Sequence, residues 1–578
     1  MSTNTAPRSG LTHIARDGLT PVVGVDSERC VNCHACISAC PVKYCNKATG
    51  ESVEINSDLC IGCGSCIDAC THGARFPIDD WQGFWRDLNA GVKMIAVVAP
   101  AVAAAFPHRY LNLNGWLKQS GVSAIFDVSF GAELTVQSYL RHIKEHNPST
   151  VVAQPCPAIV TYIELYRPDL LPYLAPAGSP MHHVMRMVRN EYAQYRGHKL
   201  VVISPCVAKR REYDETGLGD YNVTMRSLDE HFKSRGIDLS QCPATEFDGP
   251  PAERAVLFSS PGGLRDTLER WSGDAARSTR KIEGCPGVYH YLDHLAESVH
   301  DGIAPLLVDC LSCEKGCNGG TGTPGRMLNV DRIESFITER AKEARDRFVN
   351  QGASDEEAQA AVADLIRERD DPAGFHRSYV DRSSSVTLRK PSQAELQAVY
   401  ASMSKFGPDD MLNCGACGYG SCEAMATAVH NGLSRRENCV YFLGTINRDQ
   451  ERRTAALKEV IANFEGTVAK VTDASQSTKE LGRVAEAIVD LSRQTHIVAL
   501  NARIEAARAG QAGAAFSVVS SAVRDLAGGI RQEAEVIEPC SKKLQDAFSA
   551  VVTEVEGLGQ RVVEILERNL TDKTKGRH

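Results

Sequence analysis

The chain has 21 cysteines, and most of them stand in spacings that could ligate metal. The run Cys30-x2-Cys33-x2-Cys36-x3-Cys40 recurs as Cys60-x2-Cys63-x2-Cys66-x3-Cys70. Farther on, Cys414-x2-Cys417-x4-Cys422 is followed by Cys439. Four more cysteines are scattered over three short motifs: Gln154-Pro-Cys156-Pro-Ala, Ser204-Pro-Cys206-Val-Ala-Lys209-Arg-Arg-Glu212 and Cys313-Glu-Lys-Gly-Cys317-Asn-Gly-Gly. Thiolates are soft, anionic donors that suit iron. Eight cysteines in two copies of one run argue against isolated zinc sites. No single loop can close the three scattered motifs into a site, so separated loops must converge inside a larger domain.

That domain needs a frame. At 578 residues the chain is too long for one core, so three or more domains are expected. Val92-Lys-Met-Ile-Ala-Val-Val-Ala and Lys199-Leu-Val-Val-Ile-Ser are apolar, β-branched runs that read as buried strands of an α/β sheet. In such sheets sites form beyond the carboxyl ends of strands, and Pro205-Cys206 follows one of these runs at once. The expected layout is a tail over 1–23, a ferredoxin-like module over 24–80, an α/β core over 92–385, a small cysteine domain over 395–445 and a helical hairpin over 446–570. Charged and Pro- or Ser-rich stretches at 367–372 and 381–391 read as linkers.

Charge and compartment exclude several classes. There are 64 basic and 72 acidic residues, a net charge of -8, which gives no basic surface for nucleic acid. The N-terminal residues carry no apolar signal region, so the cysteines are expected to bind metal in a soluble, cytoplasmic protein rather than form disulfides. The longest apolar run, Met94 to Phe106, contains Pro100 and is too short for a bilayer, which takes about 20 residues.

The repeated run has the bacterial two-cluster ferredoxin pattern, in which the fourth cysteine of each run ligates the other cluster. The pattern implies one 4Fe-4S cluster on Cys30, Cys33, Cys36 and Cys70 and another on Cys60, Cys63, Cys66 and Cys40. Gly62 and Gly64 let the backbone wrap closely around the second. Cys45 is left over and reads as a buried thiol. Cys414, Cys417, Cys422 and Cys439 have the spacing of a small 4Fe-4S domain, with Cys439 folding back after a helical run from Glu423 to Glu437. Zinc stays open there as the alternative.

The three scattered motifs, in this order and with a lysine three residues after the second cysteine, resemble the active-site segments of the iron-iron hydrogenases. The resemblance implies that Cys156, Cys206, Cys313 and Cys317 hold a 4Fe-4S cubane. Cys317 would also bridge to a di-iron site carrying carbon monoxide, cyanide and a bridging dithiolate, supplied by a maturation system. Lys209 matches the lysine that donates to a cyanide ligand, and Glu212 the nearby acid. Their other reading is a surface ion pair three residues apart on a helix. Ala99-Pro100-Ala-Val and Phe126 to Thr135 resemble framework segments of the family, and Phe375 to Ser383 does so more weakly. Departures bear on the chemistry. Catalytic members have a proton-relaying cysteine where this chain has Pro155. Ser204 and Leu311 stand where fast members have methionines. Proton transfer needs an unbroken chain of titratable groups, so slow reaction is expected. Cys310, Cys285 and Glu283 are candidates for another route or for structural roles.

The tail is rich in Ala, Glu, Arg, Val and Leu at helical spacing, with Pro539 as its only proline, and predicts a long antiparallel coiled-coil hairpin. Gln494 to Gly510 and Ala515 to Ala527 resemble the signalling tip of methyl-accepting chemotaxis receptors, with Gly510 and Gly513 marking the turn. Two arms of roughly 55 residues would project on the order of 80 Å. Gln494, Leu500, Asn501, Ile504, Glu505 and Arg508 match the tip, whereas His496, Arg503, Ala514-Ala515 and Ala522 depart from it. The resemblance implies a homodimer through the hairpin and a chemotaxis-type kinase or coupling protein at the tip, around Glu505 to Gly513. Read whole, the chain is a sensory iron-iron hydrogenase reacting with dihydrogen and protons. Two alternatives stand beside this: an ordinary hydrogenase exchanging electrons with a carrier such as ferredoxin, and a redox sensor without the di-iron site.

Overall fold

Apolar runs that must be covered on both faces become parallel strands, and these carry the site. The computed structural model describes residues 18–348 and 354–575, so most of the expected tail, 1–17, lies outside the described residues. In chain order the strands are β1 (Val23–Val25), β2 (Asn46–Lys47), β3 (Glu54–Ile55), β4 (Arg75–Pro77), β5 (Met94–Val98), β6 (Val122–Asp127), β7 (Val151–Val152), β8 (Lys199–Ser204), β9 (Tyr221–Thr224), β10 (Thr279–Glu283) and β11 (Leu307–Leu311). Met-Ile-Ala-Val-Val of β5 is buried at every position, as a strand with helices on both faces requires. β6-β5-β8-β9 form one sheet and β10-β11-β7 a second, parallel throughout.

Capping and ion pairing fix the helices at the strand ends. Asp127 closes β6 and caps the helix Val128–His146, its carboxylate accepting from the Ser129 amide at 2.9 Å. Arg340, on the helix Val330–Phe348, pairs with the same carboxylate and donates to the Pro100 carbonyl at 2.9 Å, tying two strand ends together.

The ferredoxin-type segment is small. β1 pairs with β4 and β2 with β3, both antiparallel, and two short helices, Ala35–Ser38 and Ser65–Ala69, carry Cys36 and Cys66. It packs on the α/β core through its second cysteine run. Arg211 donates to the Cys60 carbonyl and, at 3.2 Å, to that of Ser57. Asp68 pairs with Arg326. A side chain at Gly64 would collide with Thr321, its Cβ falling 2.1 Å from the threonine methyl. The small domain docks on the other end of the segment. Lys43 donates to the Gly418 carbonyl at 3.1 Å, Ala48 to Leu433 at 2.7 Å, and Asn438 to Ala48 at 2.7 Å, with Tyr44 stacked on Tyr419.

Some boundaries differ from expectation. The helix after Cys422 ends at His430, and a 3-10 turn, Arg436–Asn438, leads into Cys439. The helix Asp355–Arg369 takes up the first part of the stretch read as a linker at 367–372. The described residues divide into two units, at Phe442 and Leu443.

The second unit is the hairpin. Its helices are Val440–Arg508, which begins three residues before the unit, and Ala514–Lys575, with the turn Gly510–Gly513 between. Their lengths, 69 and 62 residues, exceed the arms read from the sequence. The seam repeats every seven residues with small side chains: Ala485, Ser492, Ala499 and Ala506 on one arm, Ser520, Ala527, Ala534 and Ser541 on the other, all buried. Small residues let the backbones approach, and Ser541 donates across to the Thr478 carbonyl at 2.7 Å. Among the described residues no helix is long and apolar enough to cross a membrane.

Candidate active site and cluster centres

The carboxyl ends of strands from both sheets open onto one cavity. Ala99 to Ala101 follow β5, Val128 follows β6, Pro155 and Cys156 follow β7, Pro205 and Cys206 follow β8, and Leu311 to Cys313 end and follow β11. Cys156, Cys206, Cys313 and Cys317 all line it, although 161 residues separate the first from the last. The loop holding Cys317 lies directly on the loop holding Cys206. The Gly322 amide donates to the Pro205 carbonyl at 2.8 Å, and a Cβ at Gly320 would fall 2.3 Å from that oxygen.

The rest of the lining is largely apolar: Pro155, Leu311, Pro180, Met181, Phe258 and Val128 are part of it. Among the described residues that line it, Lys209 is the only lysine, arginine, aspartate, glutamate or histidine. It is buried, and its ammonium donates to Glu212 at 2.6 Å. A surface pair is therefore excluded. Glu212 has no exposed side-chain surface and also receives Arg377 at 3.4 Å and the Ser179 amide at 3.3 Å. Burial alone would raise its carboxyl, but Lys209 and Arg377 outweigh burial and hold it down to about 2. Arg377 comes from the 375–383 segment and also pairs with Glu215 at 2.6 Å. The sequence signal for it was only the weak resemblance of that segment.

Four expected residues stand elsewhere. The Ser204 hydroxyl donates to the Cys206 carbonyl at 2.8 Å and accepts from its amide at 3.0 Å, so it shapes the cysteine loop and does not line the cavity. Cys310 is buried with its thiol on the Ala153 carbonyl at 3.5 Å. Cys285 lies beside Cys63, and Glu283 beside Lys281 at 3.9 Å. None of Cys310, Cys285 or Glu283 lines the cavity. Ser312 does, and its hydroxyl meets that of Tyr289 at 2.8 Å, a link the sequence reading missed.

Burial drives the Cys206, Cys313 and Cys317 thiols away from ionisation: Cys206 is pushed up to about 11 and Cys317 to about 12, these two with the Cys156 thiol adding to the effect and Lys209 opposing it. Thiols gathered in such a place ionise when a metal supplies the positive charge, so the donor set fits an iron-sulfur cubane.

The other sets are also brought together. Burial raises the Cys36 thiol, with Cys30 and Cys33 close enough to add to it. Cys66 is raised by burial, with Cys60 and Cys40 adding, and Cys63 is raised by its bond to Cys285 and by burial, with Cys40 also beside it, so Cys40 lies near the second run. Cys70 shows no comparable tie among the described interactions, and its place in the first set rests on spacing. Cys45 is 2% exposed, 3.7 Å from the Cys40 sulfur. Cys414, Cys417, Cys422 and Cys439 line one cavity. Among the described residues no three His, Cys, Asp or Glu side chains meet closely enough to hold a single ion, so the sets are gathered at the scale of a cavity.

Cysteine sets gathered beside a cysteine-lined cavity, which opens at the carboxyl ends of parallel strands, fit an iron-sulfur protein. Comparison with known families agrees. Residues 92–321 match the C-terminal domain of the iron only hydrogenase large subunit, 22–71 a 4Fe-4S dicluster domain, 410–441 an Fe-S cluster family and 448–575 the methyl-accepting chemotaxis protein (MCP) signalling domain. The chain thus joins an iron-only hydrogenase domain and a ferredoxin-type dicluster domain to a chemotaxis-receptor signalling domain. It is 24% identical to iron hydrogenase 1 of Clostridium pasteurianum over 293 residues, 41% of this chain and 51% of that protein. It is 37% identical to the methyl-accepting chemotaxis protein TlpQ of Pseudomonas aeruginosa over 107 residues, 18% of this chain and 15% of that one. The chain therefore spans about half of the hydrogenase and a smaller part of the receptor. A solved variant of the [FeFe]-hydrogenase HydA1 from Chlamydomonas reinhardtii matches 53% of this chain and 100% of its own at 20% identity, with a TM-score of 0.39.

Proposed function

We propose that this chain is a sensory iron-iron hydrogenase that reacts slowly with dihydrogen and passes a redox state through 4Fe-4S clusters to its helical tail. One observation carries the reading. A cavity gathers the four cysteines and Lys209, yet offers only Pro155 and Leu311 where proton-handling and methionine side chains stand in catalytic relatives. When bound, the cluster supplies dihydrogen cleavage and electron storage; the rest falls to the chain. Cys156, Cys206, Cys313 and Cys317 would hold it. Lys209, oriented by Glu212, would give a charge-assisted hydrogen bond to an anionic diatomic ligand of that group. Pro155 has no proton to give.

The packing supports an order for the electrons. The second ferredoxin-type run adjoins the loops around Arg211 and Thr321, and the 410–441 domain adjoins the segment from Lys43 to Ala48. An electron leaving the cavity would cross the ferredoxin-type pair to reach Cys414, Cys417, Cys422 and Cys439. Reconstituted protein should hold about sixteen irons before di-iron insertion, four per cluster. A figure near twelve would remove one cluster, with the Cys414 to Cys439 site the first in doubt. After maturation, infrared bands of metal-bound carbon monoxide and cyanide are expected. Their absence from fully iron-loaded protein would favour a redox sensor without the di-iron site.

The tail would act as a dimer. Val484, Leu491 and Val498 on one arm, and Val519 and Leu526 on the other, are more than half exposed and recur every seven residues, a stripe that a second hairpin would cover. Glu505 and Arg508 pair at 3.1 Å on the exposed tip. Replacing Ile504 and Glu505 together should leave the dimer and its clusters intact while abolishing pull-down of the kinase or coupling protein. If the intact tail recovers neither from its own cell, the tail only oligomerises.

A further inference from the structure

Arg75 opens β4, five residues beyond Cys70, and is 4% exposed. Its Nη2 donates to the Cys36 sulfur at 3.4 Å, to Asn46 Oδ1 at 3.1 Å and to the Val53 carbonyl at 3.0 Å. Its Nη1 is buried without an acceptor in the protein. Among the described residues no carboxylate pairs with this guanidinium; the ionisable groups around it include the thiols of Cys36, Cys66, Cys45 and Cys60. Arginine cannot shed its proton to escape burial, and a buried charge without a partner is strongly unfavourable. The missing counter-charge must come from what the cysteines hold. Cys36 belongs to the first run and Cys66 to the second, so one cation serves both sets.

We propose that Arg75 is the shared charge partner of the two ferredoxin-type clusters and raises the reduction potential of both. This rests on the reading that the two runs hold 4Fe-4S clusters. Each cluster gains one negative charge when it takes an electron, and a fixed cation beside it favours that state. Hydrogen bonds to ligand sulfur act in the same direction, and cluster potentials respond to both. Arg75 therefore makes the pair a readier acceptor of electrons from the cavity. It is a positioning residue for charge, with no contact to dihydrogen.

The test is a redox titration of the reconstituted full chain, followed by electron paramagnetic resonance, with dithionite as reductant and the 410–441 cluster as internal standard. In Arg75→Gln, at full iron content, the reduced-to-oxidised ratio of both ferredoxin-type clusters at fixed potential should fall at least tenfold, a shift of about 59 mV for one electron. The standard should not move, and Arg75→Lys should stay within about threefold of the native ratio. Unchanged ratios in a fully loaded Arg75→Gln protein would overturn the proposal. Should Arg75→Gln fail to load iron, Arg75→Lys decides. Native iron and potentials there show that the charge is what the clusters need. Loss of both clusters, or an equal fall in potential, assigns Arg75 to packing and overturns the proposal. Native protein that binds no clusters at these runs would sink the cluster reading instead.

Discussion

Replacing Glu212 with leucine should destabilise the first unit by about 3–5 kcal/mol, the usual result of removing one partner from a buried ion pair. Lys209 would be left facing an apolar side chain 2.6 Å from where its counter-charge stood, and Arg377, 3.4 Å from the lost carboxylate, would keep only Glu215. The native carboxyl is held down to about 2 from an ordinary value of 4.5. Its pKa is lower in the folded than in the unfolded state, so the stabilisation is full above about pH 4.5. It is lost as pH falls through that value toward 2. At about 1.4 kcal/mol per pKa unit this amounts to about 3 kcal/mol. All four tryptophans, Trp81, Trp85, Trp116 and Trp271, lie in the first unit, so their fluorescence during urea unfolding reads that unit alone. Native protein measured from pH 7 to pH 3 should lose about 2 kcal/mol of this increment, the rest going only as pH falls through the folded value near 2, and Glu212→Gln should lack the loss. A Glu212→Leu protein within about 1 kcal/mol of native would mean that the buried cations find other partners, and the orienting role given to Glu212 would fall.

What the sequence showed and what it hid follow the range of each interaction. The cysteine runs and the strands β5 and β8 were legible because a short spacing or an unbroken apolar stretch specifies them. The lysine and glutamate three residues apart were legible as a pair, but their burial was not, since it depends on Arg377 arriving from 165 residues away. Arg75 gave no signal for the same reason: its partners Cys36, Asn46 and Val53 are set by the fold of the segment. Ser204 was noticed as a replaced methionine, whereas its contribution is a pair of hydrogen bonds to the next loop. In the tail the helical period was plain, but the seam proved to be alanine and serine. The larger apolar residues face outward, a choice that periodicity alone cannot make.

Matured native protein should turn over dihydrogen about 10²–10⁴ times more slowly than a relative with a complete proton route, the usual worth of one positioned acid or base. The cavity offers little in compensation. Lys209 is committed to Glu212 at 2.6 Å, and discharging it would leave that carboxylate buried beside a neutral amine. Cys310 donates to a carbonyl away from the lining, and Cys285 sits against Cys63. Ser312 reaches the lining and its hydroxyl meets that of Tyr289 at 2.8 Å, but burial raises the Tyr289 hydroxyl well above its ordinary value and makes it a poor proton donor. In Pro155→Cys the thiol would enter the cavity beside Cys156, while Gln154 keeps its side-chain bonds to the Ala177 and Gly178 carbonyls at 2.6 and 2.7 Å and so fixes the backbone. A gain of at least tenfold in dihydrogen oxidation is expected from that single thiol, with iron content unchanged. No gain in a correctly folded Pro155→Cys protein would place the block farther along the route than residue 155. Native turnover as fast as that of catalytic relatives would end the slow-sensor reading, because a cavity lined this way could then not be what limits the proton.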